Sequence, residues 1–306
     1  MLDEAAGEVG SDLGSETLRG RLILLRAMES LRALDESSLA LLAEHARVRR
    51  FRAGARLLTE GRPVDNVYLV TAGQVTVTRK GSVLSVVTPG FGAGFTSLIA
   101  RDPDGVGAVA DADTQTLEVP AEALLDTYER DFAFVRNVLR MQAVGIARVR
   151  SGLPADPDKP PEIELGTWRD RERTLVERLM EAQRVPMMAR ANLDAVIELV
   201  RSQVEVRFAE GDLLWRAGDP PTFSLRIDYG RVRCTTPAGR SVDVGSSYWI
   251  GTMDCFAGHP RSYDARAVTP VIGYRADFEA LLAVLDAHFE LALDFIAVLA
   301  RMRLGV

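Results

Sequence analysis

The sequence repeats itself once, at a constant offset of 157 residues. The matched pairs are Phe51/Phe208, Gly54/Gly211, Leu57/Leu214, Gly61/Gly218, Pro63/Pro220, Gly73/Gly230, Val75/Val232, Pro103/Pro260, Ala108/Ala265 and Ala110/Ala267. Glycine and proline dominate these pairs. Glycine enters positive φ at little cost, and proline fixes φ near about −65°. The repeated property is therefore a framework of turns, which predicts one fold built twice.

Both copies show the same order of helical and strand-like patterns. In the first copy, helices are predicted at 15–34 (capped by Ser15), 35–44 and 124–150, with strands at 56–59, 66–71, 74–79, 82–87 and 114–119. In the second copy, helices are predicted at 168–182, 192–203 and 277–303, with strands at 204–208, 213–215, 223–228, 231–235 and 241–244. Many short strands between glycine turns are typical of a sandwich or barrel. A gap of about two residues near Gly92 and Gly251 is needed to align the intervening segments.

The patterns divide the chain into four parts. Residues 1–14 read as a flexible acidic tail, 15–150 as a first domain, and 166–306 as a second. Between the domains, 151–165 holds four prolines, which predicts a stiff linker. The fold class is mainly β with flanking helices.

Composition excludes several classes of function. Thirty-seven basic against 43 acidic residues give a net charge of −6, which offers no overall attraction to nucleic acid or anionic membranes. No uncharged apolar run reaches the ~18 residues of a membrane span. Two cysteines make no disulfide framework, and Met1 is followed by neither a basic nor an apolar leader, so a reducing cytoplasm is predicted. Three scattered histidines predict no metal site.

A longer motif carries a family resemblance. From Arg50 to Val75 the chain reads Arg-Phe-x-Ala-Gly-x-x-Leu-Leu-x-Glu-Gly-x-Pro-x-Asp-x-Val-Tyr-Leu-Val-x-x-Gly-x-Val, which resembles the cyclic nucleotide-binding domain family. The second copy is similar but weaker, with Phe208, Gly211, Leu213, Leu214, Gly218, Asp219, Gly230 and Val232. The resemblance implies two tandem cyclic-nucleotide-binding-like β-rolls (jelly rolls), each with N-terminal helices and a C-terminal helix.

The resemblance also implies where a ligand would bind. The family's cassette reads Phe-Gly-Glu, an apolar helical turn, then Pro-Arg and small residues. Backbone N–H groups and the arginine hold the cyclic phosphate, and the glutamate accepts from the ribose hydroxyl. In the first copy Gly92 is retained, Ala93 replaces the glutamate, and the arginine position falls on Asp104 or Gly105. Arg101 lies nearby and compensates only through a changed loop path, so this pocket is expected not to bind family ligands.

The second cassette keeps more of the pattern. Gly251 and Arg261 match, and Thr252 replaces the glutamate. Arg261 is the best single candidate for binding cAMP or cGMP. Additional candidates are Asp254, two places after Thr252, Ser262 after the arginine, and Trp249, which could stack on a purine. The alternative is that Arg261 pairs with Asp254 or Asp264, or is a solvated loop side chain.

Three functions follow as hypotheses. The first is a non-enzymatic regulatory or adaptor protein, with a possible cAMP or cGMP site in domain 2 that controls a protein partner. The second is a nucleotide-independent scaffold whose two pockets are both degenerate. The third is an enzyme using Cys255 and His259, which lie four residues apart; the alternative is a buried cysteine beside a loop histidine.

The end of the chain bears on partners. DNA-binding regulators of this family carry about 70 further residues with a helix-turn-helix, so no direct nucleic acid binding is expected. The last predicted helix has an apolar stripe formed by Leu281, Leu282, Leu285, Phe289, Leu293, Ile296 and Leu299. The stripe predicts a possible homodimer through the C-terminal helices; alternatively, it covers its own roll.

Overall fold

The computed structural model describes residues 16–185, 188 and 191–305. The predicted tail 1–14 and the predicted cap Ser15 lie outside these residues. Contacts divide the chain into two compact units: a first unit that runs to Val138 and takes in Ala300 onward, and a second unit, Leu139–Leu299. Within the described ranges, no helix is both long and apolar enough to cross a membrane.

The first unit contains two four-stranded antiparallel sheets. Its elements are α1 (Leu18–Arg26), a 3-10 turn (Glu29–Leu31), α2 (Glu36–His45), β1 (Arg47–Phe51), β2 (Arg56–Leu58), β3 (Asn66–Ala72), β4 (Val75–Arg79), β5 (Ser82–Val87), β6 (Gly92–Ala93), α3 (Phe95–Ile99), β7 (Gly107–Ala110), β8 (Thr114–Pro120) and α4 (Ala121–Arg130). Helix α5 (Phe132–Val149) follows. The strand orders are β1-β8-β3-β6 and β2-β7-β4-β5.

The second unit repeats this plan. Its elements are α6 (Leu175–Ala182), α7 (Leu193–Ser202), β9 (Gln203–Phe208), β10 (Leu213–Trp215), β11 (Phe223–Tyr229), β12 (Val232–Thr235), β13 (Ser241–Val244), β14 (Trp249–Ile250), α8 (Thr252–Ala257), β15 (Asp264–Ala267), β16 (Val271–Asp277), α9 (Phe278–Ala287) and α10 (Phe289–Leu304). The strand orders are β9-β16-β11-β14 and β10-β15-β12-β13.

The predicted duplication is confirmed by strand order, because each strand of the second unit lies where the strand eight places earlier lies in the first. Ladder irregularities repeat as well. The register shifts between Val70 and Ala72 and again, 157 residues later, between Ile227 and Tyr229. Two tandem β-rolls with flanking helices are the observed fold.

The predicted gap near Gly92 and Gly251 is wrong. Gly94 and Gly251 lie 157 residues apart, and each is the left-handed residue (φ 91° and 75°) that precedes the short helix of its unit. The offset therefore continues through the cassette. Gly94, and not Gly92, is the structural equivalent of Gly251.

Several helix boundaries also differ from prediction. Helix α1 ends at Arg26, and Thr17 caps it by accepting from the N–H of Gly20 at 3.0 Å. The predicted helix 168–182 begins only at Leu175, where Thr174 and Glu177 form a capping box. The predicted helices 124–150 and 277–303 are each two helices, which meet at Asp131 and His288.

Six strands escaped prediction: β1, β6, β7, β14, β15 and β16. Two of them are only two residues long, and β7 reads Gly-Ala-Val-Ala, so apolar alternation is weak in all three. Their existence depends on pairing with β3, β4 and β11, which lie far away along the chain.

The proline-rich segment packs on the second unit. Leu153 and Ala155 belong to its hydrophobic core, beside Trp215, Val242 and Tyr263. Further along, the segment's carbonyls bond to the roll: the N–H of Ser246 donates to Glu164 at 2.6 Å, and that of Gly230 donates to Leu165 at 2.7 Å. We call residues 151–166 the strap. The domain boundaries drawn from the sequence stay a prediction.

Two glycines of the first roll provide a matched test of the turn framework. Gly54 and Gly73 have the same left-handed φ, 81° and 85°. A Cβ at Gly54 meets nothing within 4 Å, whereas one at Gly73 would lie 2.5 Å from Thr114 Oγ1 and 2.6 Å from the carbonyl oxygen of Asp113.

We expect Gly54→Ala to lower the free energy of unfolding by about 1–2 kcal/mol, the cost of a left-handed alanine. Gly73→Ala should lower it by about 1–3 kcal/mol more, because the added methyl is overpacked. Urea unfolding of the full chain, followed by circular dichroism, measures both losses. Equal losses would contradict the packing described for this turn.

Candidate functional site

The cassette of the second unit is organised around Gly251. The residue follows β14 with a left-handed φ of 75° and starts α8, which ends at Gly258 (φ 70°). A Cβ at Gly251 would collide with the guanidinium of Arg261. Glycine is therefore required twice here, for its backbone conformation and for the close approach of an arginine.

Arg261 is buried, and both of its terminal nitrogens bond within its own unit, whereas its Nε has no hydrogen-bond partner among the described residues. It is 2% exposed, its Nη1 donates to the carbonyl of Gly251 at 2.9 Å, and its Nη2 donates to the carbonyl of Phe223. Its guanidinium carbon lies 4.3 Å from the centroid of the Trp215 ring and 4.9 Å from that of Phe223. The arrangement is a cation–π stack closed by two carbonyls. Of the described residues, none forms the expected ion pair with Arg261, and the side chain is not solvated.

Asp254 occupies the donors that a phosphate would use. The hydroxyl of Ser262 donates to Asp254 Oδ1 at 2.6 Å, and the N–H of Ser262 is 3.3 Å from Oδ2. The carboxyl group is 1% exposed. Burial raises the pKa of Asp254, while the bonds from Ser262 act in the opposite direction. The carboxylate of Asp254 therefore occupies the hydrogen-bond donors of Ser262.

Tyr263 was missed by the sequence reasoning. It stands where the family resemblance implies a small residue, and it is buried inside the roll. Its hydroxyl accepts from the N–H of Gly251 at 2.8 Å, and its ring lies 5.8 Å from that of Trp215. The side chain thereby uses one of the backbone donors at the start of α8. The sequence did contain a signal for this difference, because the bulky aromatic Tyr263 directly follows Arg261 and Ser262 where the family has a small residue.

The strap covers the same region. Gly152 (φ 81°) approaches Ser262 so closely that a Cβ on it would lie 2.7 Å from the Ser262 Cβ. Just beyond, Arg240 holds the strap by donating to Asp158 at 2.8 Å. Ser262 is thus enclosed between Asp254 and the strap.

Two other predicted ligand residues keep buried polar atoms without a partner. Thr252 Oγ1 and Trp249 Nε1 form no hydrogen bond with the part of the chain that the structure describes, and neither does Trp215 Nε1. Buried polar atoms usually have a partner. The Nε of Arg261 is also buried without a partner among the described residues, so these four atoms are polar groups that the second cassette leaves unpaired.

The first unit places its predicted residues differently. Gly92 and Ala93 are strand residues, paired with Leu69 and Tyr68. Because α3 starts after Gly94, Phe95 holds the position that had been assigned to Ala93, and it is buried. Arg101 follows the helix with a φ of 53° and is exposed. Asp104, the equivalent of Arg261, has a side chain that is 68% exposed.

A buried ion pair holds the first cassette instead. Arg79 bonds to both carboxylate oxygens of Asp102 and donates to the carbonyl of Gly105 at 3.0 Å. The hydroxyl of Ser97 donates to Asp102 at 3.2 Å. Burial raises the pKa of Asp102, but the bonds from Arg79 and its neighbours outweigh it, so the pKa lies below its ordinary value. Arg79 was not predicted, although the alternation of Val-Thr-Val-Thr-Arg places it inward with Val75 and Val77.

The thiol pair predicted as an alternative is not assembled. Cys255 Sγ donates to the carbonyls of Pro221 and Phe223 at 3.1 and 3.2 Å. Burial raises the pKa of Cys255 to about 11. His259 is partly exposed and faces the Pro260 carbonyl and Asp254. No group of three metal-ligating side chains occurs among the residues with described positions.

A family model for the cyclic nucleotide-binding domain matches residues 48–131 and 205–288, more than half of the sequence. Each match covers one of the two β-rolls. The chain belongs to the cyclic nucleotide-binding domain family, in tandem form.

Solved structures of similar proteins include kinase regulatory subunits. The regulatory domain of Toxoplasma gondii PKA with cAMP is 14% identical, with 99% of each chain covered and a TM-score of 0.36. The regulatory subunit of a cAMP-independent protein kinase A from Trypanosoma brucei is 16% identical, covering 98% of this chain and 91% of that one, with a TM-score of 0.35. The N-terminal domain of a transcriptional regulator from Streptomyces coelicolor is 30% identical over 41% of this chain and 92% of its own, with a TM-score of 0.37. A comparison with curated proteins found no match.

The Arg79–Asp102 pair can be tested by a double-mutant cycle. Arg79→Met should lower the free energy of unfolding by about 3–5 kcal/mol at pH 7, because it leaves a buried carboxylate unpaired. The double variant with Asp102→Leu should be less destabilised than Arg79→Met alone. Arg233→Met is the control: Arg233 is half exposed, and Arg231 remains 3.7 Å from its partner Asp243, so the loss should stay below about 1 kcal/mol. Additive losses at Arg79 and Asp102 would refute the coupling.

The same pair gives a pH dependence. The pKa of Asp102 is depressed in the fold, so its contribution is present above the ordinary value of 3.8 and is lost as the pH falls through the folded pKa. The stability difference between wild type and Asp102→Asn should therefore be constant from pH 7 to about 5 and shrink below about pH 4. Urea titrations at each pH measure it; a difference that does not shrink at all as the pH falls below about 4 would contradict the assignment.

Thiol labelling separates a buried cysteine from a nucleophile. At a pKa of about 11, roughly one Cys255 in a thousand is thiolate at pH 8, so folded protein should resist Ellman's reagent. A Cys234→Ser variant leaves Cys255 as the one thiol to follow. Urea-unfolded protein is the positive control and should react at once. Rapid labelling of the folded variant would restore the enzyme hypothesis.

Proposed function

We propose that this chain is a non-enzymatic regulatory or adaptor protein that acts through a protein partner and without a cyclic nucleotide. The observation that carries the proposal is the closed second cassette. There, both terminal nitrogens of Arg261, the hydroxyl of Ser262 and the N–H of Gly251 have partners within the unit. The first cassette, closed by Arg79 and Asp102, supports the same reading.

Binding of a cyclic nucleotide would exchange existing bonds within the cassette for new bonds to the ligand. A cyclic phosphate would have to replace the carbonyls that Arg261 already binds, so its net gain is the difference between two sets of similar bonds. It would also approach the Asp254 carboxyl, and two like charges at one site repel each other. Entry further requires Tyr263 and the strap to move out of a packed core. Each of these steps lowers affinity.

A second candidate keeps a cAMP or cGMP site in the second unit. The observation in its favour is that Arg261 is retained without an ion-pair partner among the described residues, beside the unpartnered Thr252 Oγ1 and Trp249 Nε1. In this candidate the ligand would displace Tyr263 and the strap and so signal to a partner.

A non-catalytic role and a cytoplasmic location are part of the proposal. Both cysteines are free and buried, which suits a reducing compartment. The stripe of the last two helices offers little to a homodimer, since Leu281, Leu285, Ile296 and Leu299 are at most 1% exposed. Dimerisation through these helices stays a prediction, as does the lack of direct nucleic acid binding.

Thermal melting with nucleotide tests the two candidates. With 1 mM cAMP or cGMP, we expect no change in the melting temperature of the wild-type chain. A ligand with a Kd of about 10 μM would stabilise it by about 2.7 kcal/mol at this concentration. A shift that is lost in Arg261→Ala would establish the second candidate. Arg275→Ala is the matched control, because its guanidinium stacks on the same Phe223 ring at 4.2 Å from an exposed position.

A further inference from the structure

We infer that the first unit carries an interface for a second copy of this chain, on the outer face of the sheet β2-β7-β4-β5. We call this surface the apolar face and define it by the outward side chains Thr76, Val83, Leu84, Val86 and Val109. Val83 is 63% exposed, Leu84 38% and Val86 50%. The proposed function requires a protein partner, and the inference rests on it in that respect alone. The partner inferred here is a second copy of the chain.

The sequence around this face is unusual for the chain. Charged residues make up 26% of the whole, yet residues 81–100 contain no Asp, Glu, Lys or Arg. Strand β5 supplies three of the five side chains that define the face, and it is the edge strand of its sheet. Edge strands normally carry charges that keep them in water. An uncharged and exposed edge therefore calls for a covering surface.

The second unit carries charged residues on the equivalent face. At the 157-residue offset, Thr76 corresponds to Arg233, Val83 to Arg240, Val86 to Asp243, Gly107 to Asp264 and Val109 to Arg266. Arg233 and Asp243 form a two-pronged ion pair at 2.7 and 2.9 Å. The fold thus accepts charge at each of these positions. The apolar face is a property of the first unit's sequence, and the roll does not require it.

Charge complementarity selects the occupant. A partner surface must be uncharged to match, and the equivalent face of the second unit, with its arginines and aspartates, is not. The apolar face of another copy is uncharged, and two such faces meet about a two-fold axis as a closed dimer. Two charged side chains adjoin the face: Arg56 pairs with Val109 across β2 and β7, and Asp111 accepts from the hydroxyl of Thr76 at 2.8 Å. The exposed side chains of β5 carry the uncharged part of the face.

A bulge decides how the copies meet. The β4–β5 ladder shifts between Val77 and Thr78, which leaves Leu84 outside the regular pairing. Bulges twist an edge away from strand addition. Leu84 is 38% exposed and lies between Val83 and Val86 in β5, so we expect the two sheets to pack face to face, with their layers about 10 Å apart.

The test exchanges the cross-strand pair between units. Thr76 and Val86 face each other across β4 and β5, as Arg233 and Asp243 do across β12 and β13. The variant Thr76→Arg/Val86→Asp therefore installs an ion pair that the fold already accepts. By sedimentation at about 50 μM, wild type should have twice the 33.5 kDa chain mass and this variant the single mass. The reciprocal Arg233→Thr/Asp243→Val is the control and should stay dimeric.

Each outcome decides the matter. Wild type that stays monomeric up to the highest soluble concentration overturns the inference, and so does an exchanged variant that remains dimeric. If circular dichroism shows that the exchanged variant has lost its fold, Val83→Lys replaces it, since that side chain is already in water. All samples are free of nucleotide, so this result is independent of the melting test. A protein partner that binds the face of a monomeric chain would also count against the second-copy inference.

Discussion

The architecture of the second cassette depends on the contact between Arg261 and the backbone of Gly251. A buried guanidinium is costly unless all of its surroundings compensate for the lost water. Here two carbonyls, two aromatic rings and a glycine without a side chain do so together. With both terminal nitrogens of Arg261 bonded in this way, Tyr263, Asp254 and the strap enclose the side chain. The first unit reaches a similar end by another route, with Arg79 directed inward from β4 to Asp102.

Most of the fold was accessible from the sequence because the repeated glycines report backbone conformation directly. Gly54, Gly61 and Gly73 are left-handed in the first roll, and their partners at the same offset are left-handed in the second. The strands that were missed, such as β6 and β14, owe their existence to pairing with distant strands, which local periodicity cannot show. The helix predicted at 168–182 starts in the structure only at Leu175, because Thr174 and Glu177 form a capping box that the prediction overlooked.

The candidate site was less predictable than the fold. Arg261, Asp254 and Ser262 do come together, as their spacing predicted, but the partners of each could not be read from the sequence. Tyr263 and the strap act through tertiary packing, which places residues 152 and 262 in contact across 110 positions. In the first unit, Gly92 was aligned with Gly251 in place of Gly94. This two-residue error hid the fact that Phe95 is the equivalent of Thr252. A two-residue error in alignment assigns the wrong side chain to every position of a binding site, whereas it leaves the number and order of the turns unchanged.

The strap has a consequence for any attempt to isolate the second roll. A fragment cut at the proline-rich border would lose Leu153 and Ala155 from its interior and uncover Trp215 and Tyr263 to solvent. The connector between the two modules is internal to the second one. The halves of this protein are consequently no longer interchangeable parts, and the natural cleavage point for a minimal stable fragment lies upstream of Gly152.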